Sequence, residues 1–152
     1  MKMKIVALLL GFSVLLFIAC KKDKFTTEPQ LKFKSISPTT AIKGNIINLN
    51  VSFTDDEGDI QDTVILVTKR YNSTGGIFTL DTLKVRMDPD GIPVARDGDL
   101  NVKFCYGEFV TGALFLNLEA VDREASFGLM IKDKAGHRSN YVESDKVMLK
   151  KL

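Results

Sequence analysis

Short runs of alternating apolar and polar residues, cut at close intervals by Gly, Pro, Asn and Asp, predict an all-β domain, an antiparallel β-sandwich of seven or eight strands. The alternation is cleanest at residues 47–53, where Ile47, Leu49, Val51 and Phe53 point one way and Asn48, Asn50 and Ser52 the other. Beyond residue 30 no long apolar stripe repeats at the helical period, so helices do not compete for the core. The spacing of the runs lacks the βαβ rhythm of a parallel sheet, which leaves two packed antiparallel sheets as the architecture.

In chain order, Leu31, Phe33 and Ser35 or Ile36 open a first strand that Pro38 ends, and Lys43-Gly44-Asn45 turns the chain into the second at 47–53. Residues 63–71 form the third, and the row Val64, Ile65, Leu66, Val67 predicts a central, well-covered position. A turn cluster at 72–76 leads to a strand at 77–85. A long connection follows through Pro89-Asp90-Gly91 and Asp97-Gly98. Strands then resume at 100–106, 113–119, 126–132 and 141–149, with Phe127, Leu129 and Ile131 as a second clean alternation.

The chain has 152 residues, enough for one core. Its organisation is set by the first thirty residues. Lys2 and Lys4 precede an apolar run at 5–18 and then Ala19-Cys20, the layout of a secretory signal. That run of about 14 residues gives roughly 21 Å of helix against a hydrocarbon core of ~30 Å, too short for a simple spanning anchor. Phe17-Ile18-Ala19-Cys20, with Leu16 ahead, resembles the lipobox of bacterial lipoproteins, with Phe17 departing from the usual leucine. The resemblance implies that residues 1–19 are a cleaved signal peptide and that Cys20 is lipidated and leads the mature chain. Several acyl chains hold stably where one binds marginally, at about 0.8 kcal/mol per buried methylene. Residues 20–30 are then anchor and polar spacer, and 31–152 the folded domain.

The formal net charge of +2 includes Lys2 and Lys4, so the remainder is near neutral, with acids and bases interleaved. No basic stripe offers itself to phosphates, which excludes a nucleic-acid partner. Of the two cysteines, Cys105 lies in the apolar stretch 102–106 and reads as a buried thiol packing as a small hydrophobe.

Two segments resemble immunoglobulin-like and fibronectin-type-III-like domains on envelope lipoproteins of the Bacteroides group. One runs from Val51 through Thr54-Asp55-Asp56-Glu57-Gly58-Asp59 to Ile60, a strand entering an acidic loop. The other runs from Ile131 through Asp133-Lys134-Ala135-Gly136-His137 to Asn140. In such domains these are the loops after strands B and F, which share one end of the sandwich. The resemblance implies an immunoglobulin-like sandwich on an outer-membrane lipoprotein, at its periplasmic or cell-surface face. The cysteine pair and buried tryptophan of antibody domains are missing, so it is architectural and carries no function by itself.

Asp55, Asp56, Glu57 and Asp59 crowd four carboxylates into five residues. With Asp133 from the second loop, the set Asp55, Glu57, Asp59 and Asp133 suits a hard cation such as calcium, which takes six to eight oxygens. It is not an EF-hand, since the twelfth position from Asp55 is Leu66. A hydrated turn using the freedom of Gly58 fits the same residues, and the sequence leaves both readings open. No organic cofactor is implied. Asp62-Thr63-Val64 and Asp81-Thr82-Leu83 resemble the O-glycosylation sequon of the Bacteroides group, which makes Thr63 and Thr82 candidate sugar sites.

His137 reads as an exposed turn residue. The chain has no Gly-x-Ser-x-Gly elbow, His-Glu-x-x-His helix, P-loop or His/Cys metal set, and nothing selects a catalytic acid pair. The expectation is a non-enzymatic binding or assembly module, held to the membrane by its lipid and working through loops or sheet edges on a protein or glycan partner that the sequence does not name. The alternative is a glycan-binding accessory lipoprotein of a nutrient-uptake system. Lacking tryptophan, it would need Tyr71, Tyr106 and Tyr141 as its stacking platforms.

Overall fold

The computed structural model describes residues 26–87 and 94–151. Cys20 and the turn expected at residues 89–91 lie outside them. Among the described residues every helix-or-strand element is a strand, and no helix is long and apolar enough to cross a membrane. The elements are β1 (Gln30–Ser37), β2 (Thr40–Ala41), β3 (Ile46–Thr54), β4 (Thr63–Tyr71), β5 (Ile77–Arg86), β6 (Asp97–Tyr106), β7 (Leu114–Leu116), β8 (Arg123–Lys132), β9 (Val142–Glu143) and β10 (Val147–Leu149).

They form two sheets. The first has the order β1-β3-β6-β7, the second β2-β10-β8-β4-β5, with β9 also pairing β8. The expected all-β sandwich is present, but its sheets are mixed rather than purely antiparallel. β7 runs parallel to β6, and β2 runs parallel to β10. Both exceptions are two- or three-residue pieces at a sheet edge, where a short parallel pairing needs no crossover through the core.

Each face follows from the side-chain alternation. Ile47, Leu49, Val51 and Phe53 of β3 are all buried and face Phe127, Leu129 and Ile131 of β8, with Val147 and Leu149 of β10 beside them. The sheets meet where the Phe104 and Phe127 rings tilt together at 4.7 Å between centroids. Burying one such side chain contributes about 1.5–3 kcal/mol, so these alternating rows hold the layers together. β4 sits between β8 and β5 as its composition predicts, but only one of its faces is covered. Val64 and Leu66 are buried, while Ile65 and Val67 on the opposite face are half-exposed.

Two expected strands are cut down. The segment 113–119 yields only β7, because the Tyr106 hydroxyl takes the Glu119 N–H at 2.9 Å and pulls the chain off the ladder. The segment 141–149 breaks into β9 and β10 at Ser144, whose backbone N–H donates to the Phe127 carbonyl while its hydroxyl accepts the Phe127 N–H, both at 3.0 Å. A side chain replaces one rung, and the chain bends between β9 and β10 without orphaning β8.

Candidate functional site

β3 and β8 both end on the same side of the sandwich, and the two loops resembling immunoglobulin-like ones meet there. Ile60, fully buried, pins the first loop to the core, and the Asp59 carbonyl accepts the Lys134 N–H of the second loop at 3.1 Å. Gly58 is required at this turn. Its φ is +70°, and a Cβ there would come within 3.2 Å of the Ala95 backbone.

The four acids named from the sequence are brought together. One carboxylate oxygen from each of Asp55, Glu57, Asp59 and Asp133 lies within 4.8 Å of the others. Their surroundings differ. Asp133, 1% exposed, accepts the Gly136 and His137 amides through Oδ1 at 2.6 and 2.7 Å, and its Oδ2 lies 3.0 Å from His137 Nδ1. Asp55, with 0% exposure, accepts the Asp59 N–H through Oδ2 at 3.0 Å, while its Oδ1 is buried without a hydrogen-bond partner. Asp59 Oδ1 is likewise buried and unpartnered. Burial pushes the Asp55 carboxyl up from its ordinary value. The Asp59 and Gly58 amides oppose that, and the charges of Asp59 and Asp133 add to it.

Asp56 faces away from the cluster and pairs with Arg96. His137, read from the sequence as a plain turn residue, belongs to the site's rim. Its Nδ1 is 3.9 Å from Glu57 and contacts Asp133, so Glu57, Asp133 and His137 form a second, overlapping set of ligand atoms. The visible signal was the four-residue spacing from Asp133 across a glycine turn, which lets one carboxylate cap the turn's amides and hold the ring.

At the other end of β4 lies a cleft of about 710 Å³, lined by residues including Tyr71, Asn72, Phe78, Asp122, Arg123 and Glu124. The aromatic platforms expected for a sugar are not free. Tyr106 is fully buried, its hydroxyl donating to the Lys150 carbonyl at 2.9 Å. Lys146 covers the Tyr71 ring at 4.2 Å, and Arg123 covers Phe78 at 4.0 Å. Tyr141, the most exposed of the three tyrosines, donates to Glu143 at 3.1 Å and has the Lys69 ammonium over its ring at 5.3 Å. Of the two sequon threonines, Thr82 is exposed on β5, whereas Thr63 is half-buried and donates to Asp62 at 3.2 Å. Cys105 is buried, with Sγ 4.0 Å from the Gly44 carbonyl.

No family model matches the chain, and no curated protein matches it. One solved structure to which the chain is weakly similar is the sporulation control protein Spo0M from Bacillus subtilis. It is 8% identical, with a TM-score of 0.44 over 84% of this chain. This chain spans about half of that one (51%), and the likeness is too slight to carry a fold or a function across.

Proposed function

We propose that the protein is a non-enzymatic, lipid-anchored cell-envelope module. In this reading an immunoglobulin-like sandwich is held to the outer membrane by acylated Cys20, on its periplasmic or cell-surface face, and binds a protein partner. The strand order supports the immunoglobulin-like assignment, with β1-β3-β6 packed on β10-β8-β4-β5 and β2 crossing to run parallel with the last strand.

The single observation that carries the binding role is the state of β5. Sheet edges are normally blunted by shortness, bulges, charge or cover. β2 and β7 are two and three residues long. β1 has a register shift between Phe33 and Ser35, a Lys34–Asp99 ion pair, and the Asn140 side chain bonded to Leu31. β5 also has a register shift, opposite Arg70 and Tyr71, and an Arg70–Asp81 ion pair, and Arg123 lies over Phe78. Yet it runs for ten residues at the edge of its sheet with Ile77, Phe78, Leu80 and Leu83 each about half-exposed. A strand of that length with exposed apolar side chains suits pairing with an extended segment of another protein.

The test is a photoreactive amino acid placed at Leu80, or at Lys34 on the blunted edge, in the anchored protein in its own membranes. The reading expects one discrete adduct from position 80, none from position 34, and loss of both membrane fractionation and adduct in Cys20→Ala. Equal labelling from both positions, or a Cys20→Ala chain that stays in the membrane, removes it. Thr82 is the better placed of the two proposed glycosylation sites, and a sugar there would sit on this same edge.

A glycan-binding accessory role stands second. The polar cleft beside Tyr71, with Asn72, Asp122 and Glu124 on its walls, favours it. The cations already stacked on Tyr71 and Phe78 weigh against it, because a sugar would have to displace them.

A further inference from the structure

We propose that the loops following β3 and β8 form a calcium site, with Asp55, Glu57, Asp59 and Asp133 as its carboxylate ligands. The reading stands apart from the binding role of β5, since the site uses different residues at a loop end of the sandwich. Crowded acids alone do not make a site, because exposed carboxylates hydrate cheaply. Here they are not all exposed. Asp55 and Asp133 are removed from solvent, and four carboxylates share a space only 4.8 Å across. Like charges so placed repel strongly, and a buried carboxylate oxygen without a donor carries its full desolvation cost.

The distribution of donors says where a partner is lacking. Asp133 has two amides and an imidazole, so its charge is answered from the protein. Asp55 Oδ1 and Asp59 Oδ1 have no hydrogen-bond partner although both are buried. They belong to the same cluster, and a cation between the loops would answer both at once. The four-acid set is all oxygen, which selects a hard cation, while the overlapping set through Glu57 and Asp133 adds the His137 nitrogen that a softer metal would use. Four carboxylates on two loops, short of a regular octahedron and open to water at Glu57, suit calcium's variable coordination better than the strict geometry of magnesium. Holding both loops to one ion would fix the end of the sandwich that the Asp59–Lys134 backbone bond already ties.

The experiment uses the full detergent-solubilised chain, stripped with chelator and titrated calorimetrically with calcium, magnesium or zinc, with thermal unfolding in parallel. Calcium is expected to bind with about one ion per chain, to raise the unfolding temperature, and to bind at least about tenfold more tightly than magnesium. Asp55→Asn and Asp59→Asn should each weaken calcium by about tenfold or more. Asp59 is the half-buried member of the pair, so its variant keeps the test sound if Asp55→Asn folds poorly. Asp56→Asn, whose side chain faces Arg96, should stay within about twofold of the parent, and His137→Ala should retain calcium binding. The proposal is overturned by the absence of calcium heat and stabilisation in the parent, by an equal response to magnesium, by unchanged affinity in Asp59→Asn, or by zinc binding preferentially and depending on His137.

Discussion

Asn140 holds Leu31 as a neighbouring strand would, its side-chain oxygen accepting the Leu31 N–H at 2.7 Å and its amide donating to the Leu31 carbonyl at 2.9 Å. One side chain thereby satisfies both of Leu31's own backbone groups. It closes the β1 edge at that position, where the strand would otherwise offer itself to another chain.

Asn140→Ala should therefore destabilise by about 2 kcal/mol, since a donor and an acceptor beside the buried Leu31 lose their partners together. Asn140→Asp keeps the acceptor and loses the donor, and about half that cost is expected. Denaturant midpoints give both numbers, and hydrogen exchange should show the Leu31 amide accelerated in the alanine variant. An unchanged Leu31 amide would mean that the β1 edge is protected by something else.

Glu143 gathers donors from three sides. Lys69 of β4 and Ser126 of β8 reach it at 2.5 Å each, Tyr141 at 3.1 Å, and Tyr71 at 3.2 Å, while Lys146 lies over the Tyr71 ring. Burial alone would raise its carboxyl, but the bonds from Lys69, Ser126 and Tyr141 outweigh that and hold it below its ordinary 4.5. The Glu143 hydrogen bond in turn raises Lys69 above its ordinary 10.5. A carboxyl lowered on folding stabilises the fold above its unfolded value, and that stabilisation disappears as pH falls through the folded value. A raised lysine contributes fully below its unfolded value and is lost as pH climbs through the folded one. The parent should lose stability on going below about pH 4.5 more steeply than Glu143→Gln, and Gln should cost about 1 kcal/mol at neutral pH. Parallel acid limbs in plots of unfolding temperature against pH would show that the network is not coupled to folding.

Much of this fold was legible residue by residue, and the misses share a cause. β3 and β8 were visible because a row such as Ile47, Leu49, Val51, Phe53 has one periodicity and one buried face. β2 was not, because two residues have no period. It exists through the pairing of Thr40 and Ala41 with Met148 and Leu149, which only the folded chain reveals. The break at Ser144 was hidden for a similar reason, as a hydroxyl standing in for a backbone rung leaves no mark in composition. At the acidic loops the composition of 55–59 was plain, and the turn resemblance brought in Asp133. What sequence could not say was which oxygens have donors, since that depends on where the Gly136 and His137 amides point.

Cys105 should be silent to thiol reagents in the folded protein and react fully once unfolded, because its side chain has no exposed surface. Cys105→Ala should cost about 1 kcal/mol as a small cavity, and Cys105→Ser somewhat more, since the hydroxyl must find the Gly44 carbonyl or be buried unpaired. Labelling of the native thiol at the rate of a free cysteine would contradict its position on β6.

Gly107 follows β6 with φ at +74°, its N–H donating to the Leu116 carbonyl at 2.7 Å, and a Cβ built there would lie 2.4 Å from Leu118. Two costs coincide, a backbone conformation that L side chains avoid and an overlap with a side chain packed against the core. Gly75 separates them, because its φ of +84° is as unfavourable while nothing lies within 4 Å of its Cβ position. Gly75→Ala should lose about 1 kcal/mol, the conformational part alone. Gly107→Ala should lose about 1–3 kcal/mol more, as Leu118 is driven from its place. Trimming Leu118 as well, in a Gly107→Ala/Leu118→Ala double variant, should then cost less than the two single losses added together. Strict additivity in that cycle would show that the overlap with Leu118 is not what makes glycine necessary at the end of β6.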